Sequence, residues 1–422
     1  MTSLDHLLRN EALDVHFQPI LSLKQKAIVG LEALARPHTM NVCELFRQAT
    51  EADRLLEVDR LCRRKAMENY SHLHRTNEVR PLLFFNFETS ILDDGIVGSG
   101  AVLAAAQNAG LKTSEIVIEV NESKVTDIHA LVRFVEHHRK LGFLIALDDL
   151  GAGHSNLSRI VQLRPDIIKL DRSLIDGIDH DFVKQETMRS LVSLCKHIGS
   201  LALAEGVETS AEVDTCAALG AELFQGFYFG RPRPLESEET ELPQRAREAS
   251  ERLRKGAIQS MYARRLEEQH AHDLLEKARR ALLRSTPTQF DAVLATLVRR
   301  DPSIEACYLL NQDGLQISDT HMGSENVAPG SHLFAPAQRG TDHSSKEYFF
   351  SVLEEGVDRH ITDTYISMAT GGLCRTLSIA CCERFVLCID LKIRLGSCRV
   401  IAGKPNNEYR APQFTYQIAP TR

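Results

Sequence analysis

Ile145 to Asp171 read IALDDLGAGHSNLSRIVQLRPDIIKLD, and the organisation of the first half of the chain can be worked out from this stretch. An apolar run ends abruptly in two adjacent carboxylates, Asp148 and Asp149, and a glycine-bearing turn follows. A second apolar run then carries Lys169. Short apolar runs that are rich in β-branched residues and bounded by turn residues predict buried parallel strands. Acids at the end of such a strand are expected at the rim of a sheet, where loops build binding sites.

The same arrangement recurs along the first half of the chain. Further short apolar runs lead directly into an acidic or amide residue, namely Glu32, Asn86, Glu119 and Glu205. Segments with helical apolar spacing separate these runs. Strand, oxygen-bearing residue, loop and helix in repeated succession predict a (β/α)8 barrel with its active site at one end.

The residues at this rim point to metal chemistry. A single acid of this kind is most often a solvated strand end, but six are expected to crowd together here: Glu32, Glu119, Glu122, Asp148, Asp149 and Glu205. The evident fixed cations beside them are Lys169 and Arg36. Ligands that offer only oxygen favour Mg²⁺ or Mn²⁺ over zinc. An adjacent aspartate pair suits a two-metal site for phosphoryl transfer, in which one carboxylate bridges the ions.

Eight motifs follow one another along residues 10–235, and together they identify a family. They read FQPI, EALAR, FFNFETSIL, IEVNES, ALDDLGAGHSNLS, IIKLDRS, AEGVET and QGFYFGRPRP. In this order and spacing they resemble the EAL family of cyclic-di-GMP phosphodiesterases, and several independent motifs make the signal specific. The resemblance implies a TIM-like barrel with one strand reversed. It also implies hydrolysis of cyclic di-GMP to linear pGpG with two divalent ions, Mg²⁺ or Mn²⁺.

The resemblance assigns metal ligands residue by residue. The ligands of one ion would be Glu32, Asn86, Glu119 and Asp148. Those of the second ion would be Asp148, Asp149 and Glu205, with Asp148 bridging the two.

Catalytic and substrate-binding groups follow from the same resemblance. Lys169 resembles the lysine that orients or helps to deprotonate the metal-held water, and Gln225 resembles the glutamine near that water. Glu122 resembles the acid that steadies the loop after the paired aspartates, and Glu205 would also serve catalysis. The expected substrate contacts are Gln18, Leu34, Arg36 (to a phosphate), Asp171, Glu208 and Arg231.

Three positions depart from the family pattern, and none of them removes a metal ligand. Leu150 and His154 stand where aromatic residues are usual, and Asn121 stands where threonine is usual. His154 can be interpreted as a catalytic base or as a surface substitution in a loop, and we favour the surface substitution. The departures bear on the stiffness of the loop after Asp149 and therefore on the turnover rate.

Composition limits the other possibilities. The 422 residues permit two or three domains, and the net charge of −7, with no basic stripe, argues against binding to DNA or RNA. No apolar stretch is long enough to span a membrane, and the N-terminus has no signal-peptide core. The ten cysteines are scattered and lack a CxxC spacing, which favours free thiols in a reducing cytoplasm.

The chain beyond the barrel divides into three parts. Residues 236–285 are almost free of β-branched residues and predict a long helix with an interruption near Gly256. This helix is either a solvated connector or a dimer-forming coil. Residues 286–395 predict a hairpin around the Asp313-Gly314 turn, a helix, and a second antiparallel pair with a turn at Glu383. This part resembles a Cache/PAS-like sensor domain. Residues 396–422 read as a tail. In the sensor-like part, Tyr348, Tyr365, Ser367 and Thr370 could line a ligand pocket, but we favour a packing role.

Two functions remain open from the sequence. One is a phosphodiesterase of residues 1–235 that a small-molecule or protein effector of the C-terminal domain regulates through a homodimer. The other is a receptor that binds cyclic di-GMP without cleaving it. Receptors of this family usually lose metal ligands, and all of them are present here, which favours the enzyme.

Overall fold

The computed structural model describes residues 3–74, 80–92, 100–121, 125, 127–151, 157–235, 242–323, 334–381 and 385–393. The chain forms two compact units, residues 1–257 and residues 258–422. Each unit has its own hydrophobic core.

Eight strands of the first unit close into a barrel. In chain order they are β1 (Leu13–Ser22), β2 (Ala27–Pro37), β3 (Leu82–Phe87), β4 (Ile116–Asn121), β5 (Leu144–Leu150), β6 (Ile167–Leu170), β7 (Leu201–Ala204) and β8 (Leu223–Phe224). The helices of this unit are α1 (Ser3–Asn10), α2 (Val42–Glu51), α3 (Leu55–His74), α4 (Ala101–Asn108), α5 (Ile128–Lys140), α6 (Leu157–Leu163), α7 (Arg172–Ile175), α8 (Phe182–Ile198) and α9 (Ser210–Leu219).

One strand of the barrel runs against the others. Strand β1 pairs antiparallel with β2 on one side and with β8 on the other, whereas the remaining neighbours are parallel. The barrel and its reversed strand confirm the fold that the motifs predict. The β1–β2 pairing sets Gln18 directly opposite Glu32.

The barrel is filled by side chains. Its interior cluster comprises Ile20, Phe84, Val117, Ala146, Ile167, Leu203 and Leu223. Strand residues of the opposite parity, such as Phe85 and Ile118, pack against the surrounding helices, as the alternation of side chains along a strand requires. Gly30 is needed where Phe84 crosses the interior, since a Cβ there would lie 2.4 Å from its ring. The closed end of the barrel thus supports the rim on which the acids lie.

The sequence predicts a helix from Asp181 to His197 that Gly199 closes, and a last barrel strand from Phe224 to Phe229. These two predictions have different outcomes. Helix α8 begins after Asp181, whose carboxylate caps it, and ends at Gly199 with φ 79°, as the sequence predicts. The predicted last strand through Phe229 is wrong, because β8 stops at Phe224. Gly226 lies so close to the backbone of Val207 that the chain turns there instead of continuing as a strand.

The long helix α10 (Leu242–Leu283) runs without a break through Gly256, so the predicted interruption is wrong. A glycine inside a helix costs only about 1 kcal/mol, which a helix of 42 residues tolerates. Its early residues Ala246 and Ala249 are fully buried in the barrel core. Among the described residues, no helix combines the length and the apolar character needed to cross a membrane.

The second unit contains an antiparallel sheet of six strands with the order β10-β9-β14-β13-β11, and β12 pairs with β13. Its elements are α11 (Phe290–Arg300), β9 (Ile304–Leu310), β10 (His321–Met322), α12 (Glu347–Leu353), β11 (Arg359–Ile361), β12 (Tyr365–Ile366), β13 (Leu373–Cys381) and β14 (Phe385–Lys392). The predicted pair around Glu383 is confirmed as β13–β14, although the turn itself lies outside the described residues.

The predicted hairpin around the Asp313-Gly314 turn is only partly formed. Residues 315–317 belong to no named strand and make two isolated bridges, Gln316 to Leu310 and Leu315 to Asp342. Strand β10 pairs with an earlier part of β9, at Ala306 and Cys307. The predicted tail, residues 396–422, lies outside the described residues.

Candidate active site

The carboxyl ends of the barrel strands bring the predicted acids together. They contribute Glu32 from β2, Asn86 from β3, Glu119 from β4, Asp148 and Asp149 from β5, Lys169 from β6, Glu205 after β7 and Gln225 after β8. Glu32 lies in the middle of β2 rather than at its end, because β2 continues to Pro37. Neighbouring parallel strands place these side chains at a similar height along the barrel axis. Asn86 of β3, for example, lies beside Glu119 of β4.

The centre of this ring is the ammonium group of Lys169. Its Nζ lies 2.8 Å from Glu205, 2.9 Å from Glu119 and 3.0 Å from Asp148, with Glu32 at 3.8 Å. The side chain is 2% exposed, so almost no water screens these contacts. Of the two expected cations, only Lys169 pairs with ring carboxylates in the described part of the chain.

Burial and mutual repulsion disturb the proton equilibria of the ring. Burial raises the pKa of Glu205 to about 8 and that of Glu119 well above its usual value, although Lys169 opposes both shifts. Glu32 and Asp148 add repulsion to each of them. The pKa of Lys169 is raised by the surrounding carboxylates despite its burial, which keeps the ammonium charged.

Amide side chains hold Glu32 in place. Asn86 donates through Nδ2 to Glu32 Oε1 at 3.1 Å, and Gln225 donates through Nε2 to Glu32 Oε2 at 2.5 Å. Gln225 also contacts Gln18 Oε1 at 3.2 Å, and Gln18 donates to the carbonyl of Gly230 at 3.1 Å. Because the Asn86 amide nitrogen is used by Glu32, its oxygen remains available as a ligand.

A β-bulge explains how two consecutive aspartates serve one site. Between Leu147 and Leu150, strand β5 carries one residue more than β6 does over the same interval. Asp149 adopts φ 59°, a left-handed conformation that is uncommon for residues other than glycine. In a regular strand, consecutive side chains point to opposite faces, whereas the bulge redirects one of them. Oxygens of Asp148, Asp149 and Glu205 consequently lie within 4.8 Å of one another.

The donor atoms fit divalent metal ions. Both carboxylate oxygens of Glu119 and Oδ1 of Asp148 are buried without a well-directed hydrogen bond, despite the nearby ammonium. Burial also raises the pKa of Asp149, and the charge of Asp148 adds to this shift. Buried carboxylate oxygens without hydrogen bonds are costly unless a cation satisfies them.

Two cavities adjoin the ring. One of about 190 Å³ is lined by Gln18, Glu32, Asp171, Arg172, Glu205, Gly206, Glu208, Gln225, Gly226 and Phe227. The other, of about 350 Å³, reaches Leu34, Asn86, Asn121, Asp148 and Asp149 among its lining residues. Five of the six expected substrate contacts therefore line a cavity or lie against one. The fifth is Arg231, whose guanidinium lies 4.1 Å from the ring centroid of Phe227.

Two predicted residues are not brought to the ring. Arg36 donates to the carbonyl of Ala35 at 2.9 Å, and it pairs with no acid in the described part of the chain. Glu122 lies outside the described residues.

The structure adds groups that sequence reasoning missed. Asn121 donates from Nδ2 to Asp149 Oδ2, and Arg172 pairs with Glu208 at 2.9 Å. Glu212 accepts from the backbone nitrogen of Glu208 at 2.8 Å and so anchors the loop that follows Glu205. Thr209 and Glu212 have the spacing of a capping box, so the role of Glu212 could have been predicted from the sequence. In the sequence, Asn121 stands out only as a departure from the family pattern. Its hydrogen bond to Asp149 depends on the pairing of β4 with β5, which a local pattern does not reveal.

Comparisons with known proteins identify the family of the first unit and relatives of the chain. The family described as EAL domain matches residues 1–232. The cyclic di-GMP phosphodiesterase NbdA of Pseudomonas aeruginosa is 30% identical over 234 residues, which are 54% of this chain but only 30% of that protein. The chain thus spans about a third of the length of this relative.

A second relative resembles nearly the whole chain. The EAL-domain protein YkuI of Bacillus subtilis, whose function is uncharacterised, is 23% identical over 92% of this chain and 96% of its own length. The crystal structure of YkuI with cyclic di-GMP and calcium superposes with a TM-score of 0.78 at 22% identity, covering 93% of this chain and 99% of YkuI. This likeness shows that both units share their fold with YkuI.

Proposed function

The chain belongs to the EAL domain family, and on that premise we propose that it hydrolyses cyclic di-GMP to linear pGpG with the help of two divalent ions, Mg²⁺ or Mn²⁺. The observation that carries the proposal is the buried ring around Lys169, with carboxylate oxygens that lack hydrogen bonds. The name of the relative NbdA supports the same reaction.

The ring offers a ligand set for each ion. Glu32, Asn86, Glu119 and Asp148 would hold one, and Asp148, Asp149 and Glu205 the other, with Asp148 shared. When bound, the two ions would polarise the scissile phosphodiester and the attacking water.

The chain's own residues would position the reactants. Lys169, fixed by three carboxylates, presents a charged donor that can orient water or a phosphate oxygen. Gln225 donates through Nε2 to Glu32, and its own Oε1 is buried without a hydrogen bond. The Oε1 of Gln225 can therefore accept a hydrogen bond from water. Glu122 would steady the loop after Asp149.

The two cavities that adjoin the ring, of about 350 and about 190 Å³, would accommodate the dinucleotide. Gln18, Asp171, Glu208 and Arg231 would contact it at the smaller cavity and Leu34 at the larger. Arg36 would have to leave the carbonyl of Ala35 to reach a phosphate.

Regulation forms the second part of the proposal. The barrel would comprise residues 1–235 and the helical linker residues 236–285. A Cache/PAS-like sensor domain would comprise residues 286–395 and act through a cytoplasmic homodimer. The alternative is a receptor that binds cyclic di-GMP without cleaving it. The complete ligand set supports the enzyme.

The experiment that tests the proposal measures conversion of cyclic di-GMP to pGpG after chelation and after return of single metals. We expect turnover with Mg²⁺ or Mn²⁺ and inhibition by Ca²⁺, because the larger and looser calcium shell would misplace the nucleophile. Binding without any turnover in the presence of Mn²⁺ would favour the receptor. Full turnover in excess chelator would overturn the two-metal site.

A further inference from the structure

A cleft of about 680 Å³ lies among the helices α1, α3 and α4 of the first unit. Every basic residue in its described lining is an arginine, namely Arg9, Arg54, Arg60, Arg63 and Arg64. Cavities of this size hold small organic ligands in other proteins. The concentration of arginine indicates that a ligand of this cleft would be an anion.

The acids that line the cleft are already neutralised by two of these arginines. Arg54 pairs with Glu57 at 2.7 Å. Arg64 pairs with Glu11 at 2.5 Å and with Glu68 at 3.1 Å. Arg9 and Arg60 are exposed, and neither pairs with an acid in the described part of the chain. The cleft therefore keeps an excess of positive charge, although the whole chain carries a net charge of −7.

Arg63 is the buried arginine of the cleft, and one of its donors is unused. Its side chain is 5% exposed, and its Nε has no hydrogen-bond partner among the described residues. Asp59 contacts Nη2 of Arg63 at 2.5 Å, and Asp59 in turn accepts from the backbone nitrogen of Glu88 at 3.2 Å. The ring of Phe87 lies 4.9 Å from the guanidinium carbon. These contacts fix the guanidinium, and a buried donor without an acceptor is costly, so Nε requires a partner.

Helix α4 supplies a wall of small apolar side chains. Alanines at its cleft side are Ala101, Ala104 and Ala105, and Ala109 follows directly after the helix. Methyl side chains leave space beside the arginines. A ligand with phosphate groups can therefore lay an organic body against α4 while the arginines hold its phosphates.

From this arrangement we propose that the cleft among α1, α3 and α4 binds a small molecule that carries a pyrophosphate group, such as a nucleoside diphosphate. Arginine presents a planar fork of donors that matches phosphate oxygens. Arg9 and Arg60 would pair with the outer oxygens, and Nε of Arg63 would donate to an oxygen at the buried end. The proposal is independent of the proposed hydrolysis, because none of these arginines is a proposed metal ligand or a proposed contact of cyclic di-GMP.

The donors favour phosphate over the carboxylates of an acidic peptide. A terminal phosphate offers three acceptor oxygens and about two charges on one centre, whereas a carboxylate offers two oxygens and one charge. Arg9, Arg60 and the unused Nε of Arg63 meet in one cleft. Three donor groups that converge in this way match the more highly charged centre.

The test measures binding to the full-length chain by titration calorimetry in metal-free buffer, where no divalent ion can hold a phosphate at the carboxylate ring. The probes are inorganic pyrophosphate, ADP, adenosine and hexaglutamate. Saturable binding of pyrophosphate and ADP is expected, with much weaker binding of adenosine and hexaglutamate. Tighter binding of ADP than of pyrophosphate would show that the nucleoside contacts α4. Equal binding of the two would show that the pyrophosphate group alone is recognised.

Four variants locate the site. Arg9→Ala and Arg60→Ala remove exposed arginines that line this cleft and neither of the two cavities beside the ring. Each should weaken pyrophosphate binding about tenfold, because a hydrogen bond between charged groups is lost. Arg63→Lys keeps the charge but removes the Nε donor, so it should weaken binding as well. Arg247→Ala, at an exposed position of α10 in the same unit, is the control and should bind normally.

Circular dichroism would verify folding, and the two exposed arginines carry the test if Arg63→Lys does not fold. The proposal is overturned if pyrophosphate and ADP fail to saturate, if adenosine binds as tightly as ADP, or if Arg9→Ala and Arg60→Ala both bind pyrophosphate normally. Normal binding by these two variants with a loss in Arg63→Lys would place the anion in the larger cavity beside the ring, which Arg63 also lines. Tighter binding of hexaglutamate that Arg60→Ala removes would assign the cleft to an acidic peptide instead.

Discussion

At the scale of single residues, the proposed function depends most on Lys169 and Glu205. Removing the ammonium in Lys169→Ala leaves three buried carboxylates facing one another, while Glu205→Gln removes one proposed metal ligand. We expect either change to lower turnover at least ~100-fold, the usual effect of losing a group that acts on the attacking water or its metal.

The measurement is steady-state production of pGpG, with circular dichroism to verify folding. Lys140→Ala, at an exposed position of α5, is the matched control and should keep normal turnover. A Glu205→Gln enzyme that turns over at the unmodified rate would refute the assignment of the second ion.

Asn121 illustrates a residue that acts through another. Its amide donates to Asp149, the aspartate whose backbone is held in the left-handed region. Asn121→Ala should release this carboxylate and weaken metal binding about 10- to 100-fold, as is usual for groups that orient a ligand. Titration of Mn²⁺ into the metal-free protein measures this, with Asn108→Ala on the exposed side of α4 as control. Unchanged affinity for Mn²⁺ would mean that Asp149 needs no such support.

At the scale of elements, the repeated pattern of strand and acid predicts most of the ring. Each of four ring residues follows an apolar run, namely Asn86, Glu119, Asp148 and Glu205. A local sequence pattern is therefore sufficient to predict them. Pairing between strands is a long-range property, so the bulge in β5 has no local signature. For the same reason, local patterns reveal neither the reversal of β1 nor the early end of β8. The reversal was expected from the family resemblance alone, and the early end of β8 was missed.

Helix α5 provides a prediction about pH. His138 is buried between Phe134 and Phe143 and contacts the carbonyl of Phe134 at 2.9 Å, and burial lowers its pKa to about 4. The unfolded chain, with a histidine pKa of about 6.5, therefore binds the proton first on acidification. The folded state should lose up to about 3 kcal/mol from this group as the pH falls from about 6.5 to about 4.

Urea unfolding at a series of pH values measures this loss. His138→Gln keeps a donor for the carbonyl of Phe134 but cannot titrate, so its stability should depend less on pH across that interval. His129→Gln, at an exposed position of the same helix, should retain the dependence of the unmodified protein. Equal slopes for His138→Gln and the unmodified protein would show that His138 does not control acid stability.

At the scale of the whole molecule, the division into units determines where the chain can be cut. Ala246 and Ala249 of α10 are buried in the barrel core, and Arg252 pairs with Asp214 at 2.7 Å. The first part of α10 therefore contributes to the stability of the barrel. The boundary in amino-acid composition lies earlier, near Glu236. A shortened chain that ends at Ala257 keeps these contacts, whereas one that ends at Pro234 loses them.

The next part of α10 carries an apolar stripe that faces water. Ile258, Met261, Tyr262 and Leu266 are 42%, 67%, 62% and 68% exposed, and their spacing puts them on one face of the helix. A stripe of this kind is expected to be covered by a second copy of the chain, in line with the proposed homodimer. Replacing two of its residues in Met261→Glu/Leu266→Glu should raise the dimer dissociation constant by about two to three orders of magnitude, because two charges would be buried.

Sedimentation of the full-length variant measures its mass, and turnover measured on the same sample shows whether the dimer matters for catalysis. Ala263→Glu adds a charge outside the stripe at another exposed position and should leave the dimer intact. If a sensor domain acts through the interface, the monomeric variant must differ from the dimer in turnover, since coupling requires an element that both sites influence. A stripe variant that remains dimeric would place the interface elsewhere. A monomer with unchanged kinetics would separate dimerisation from the control of the active site.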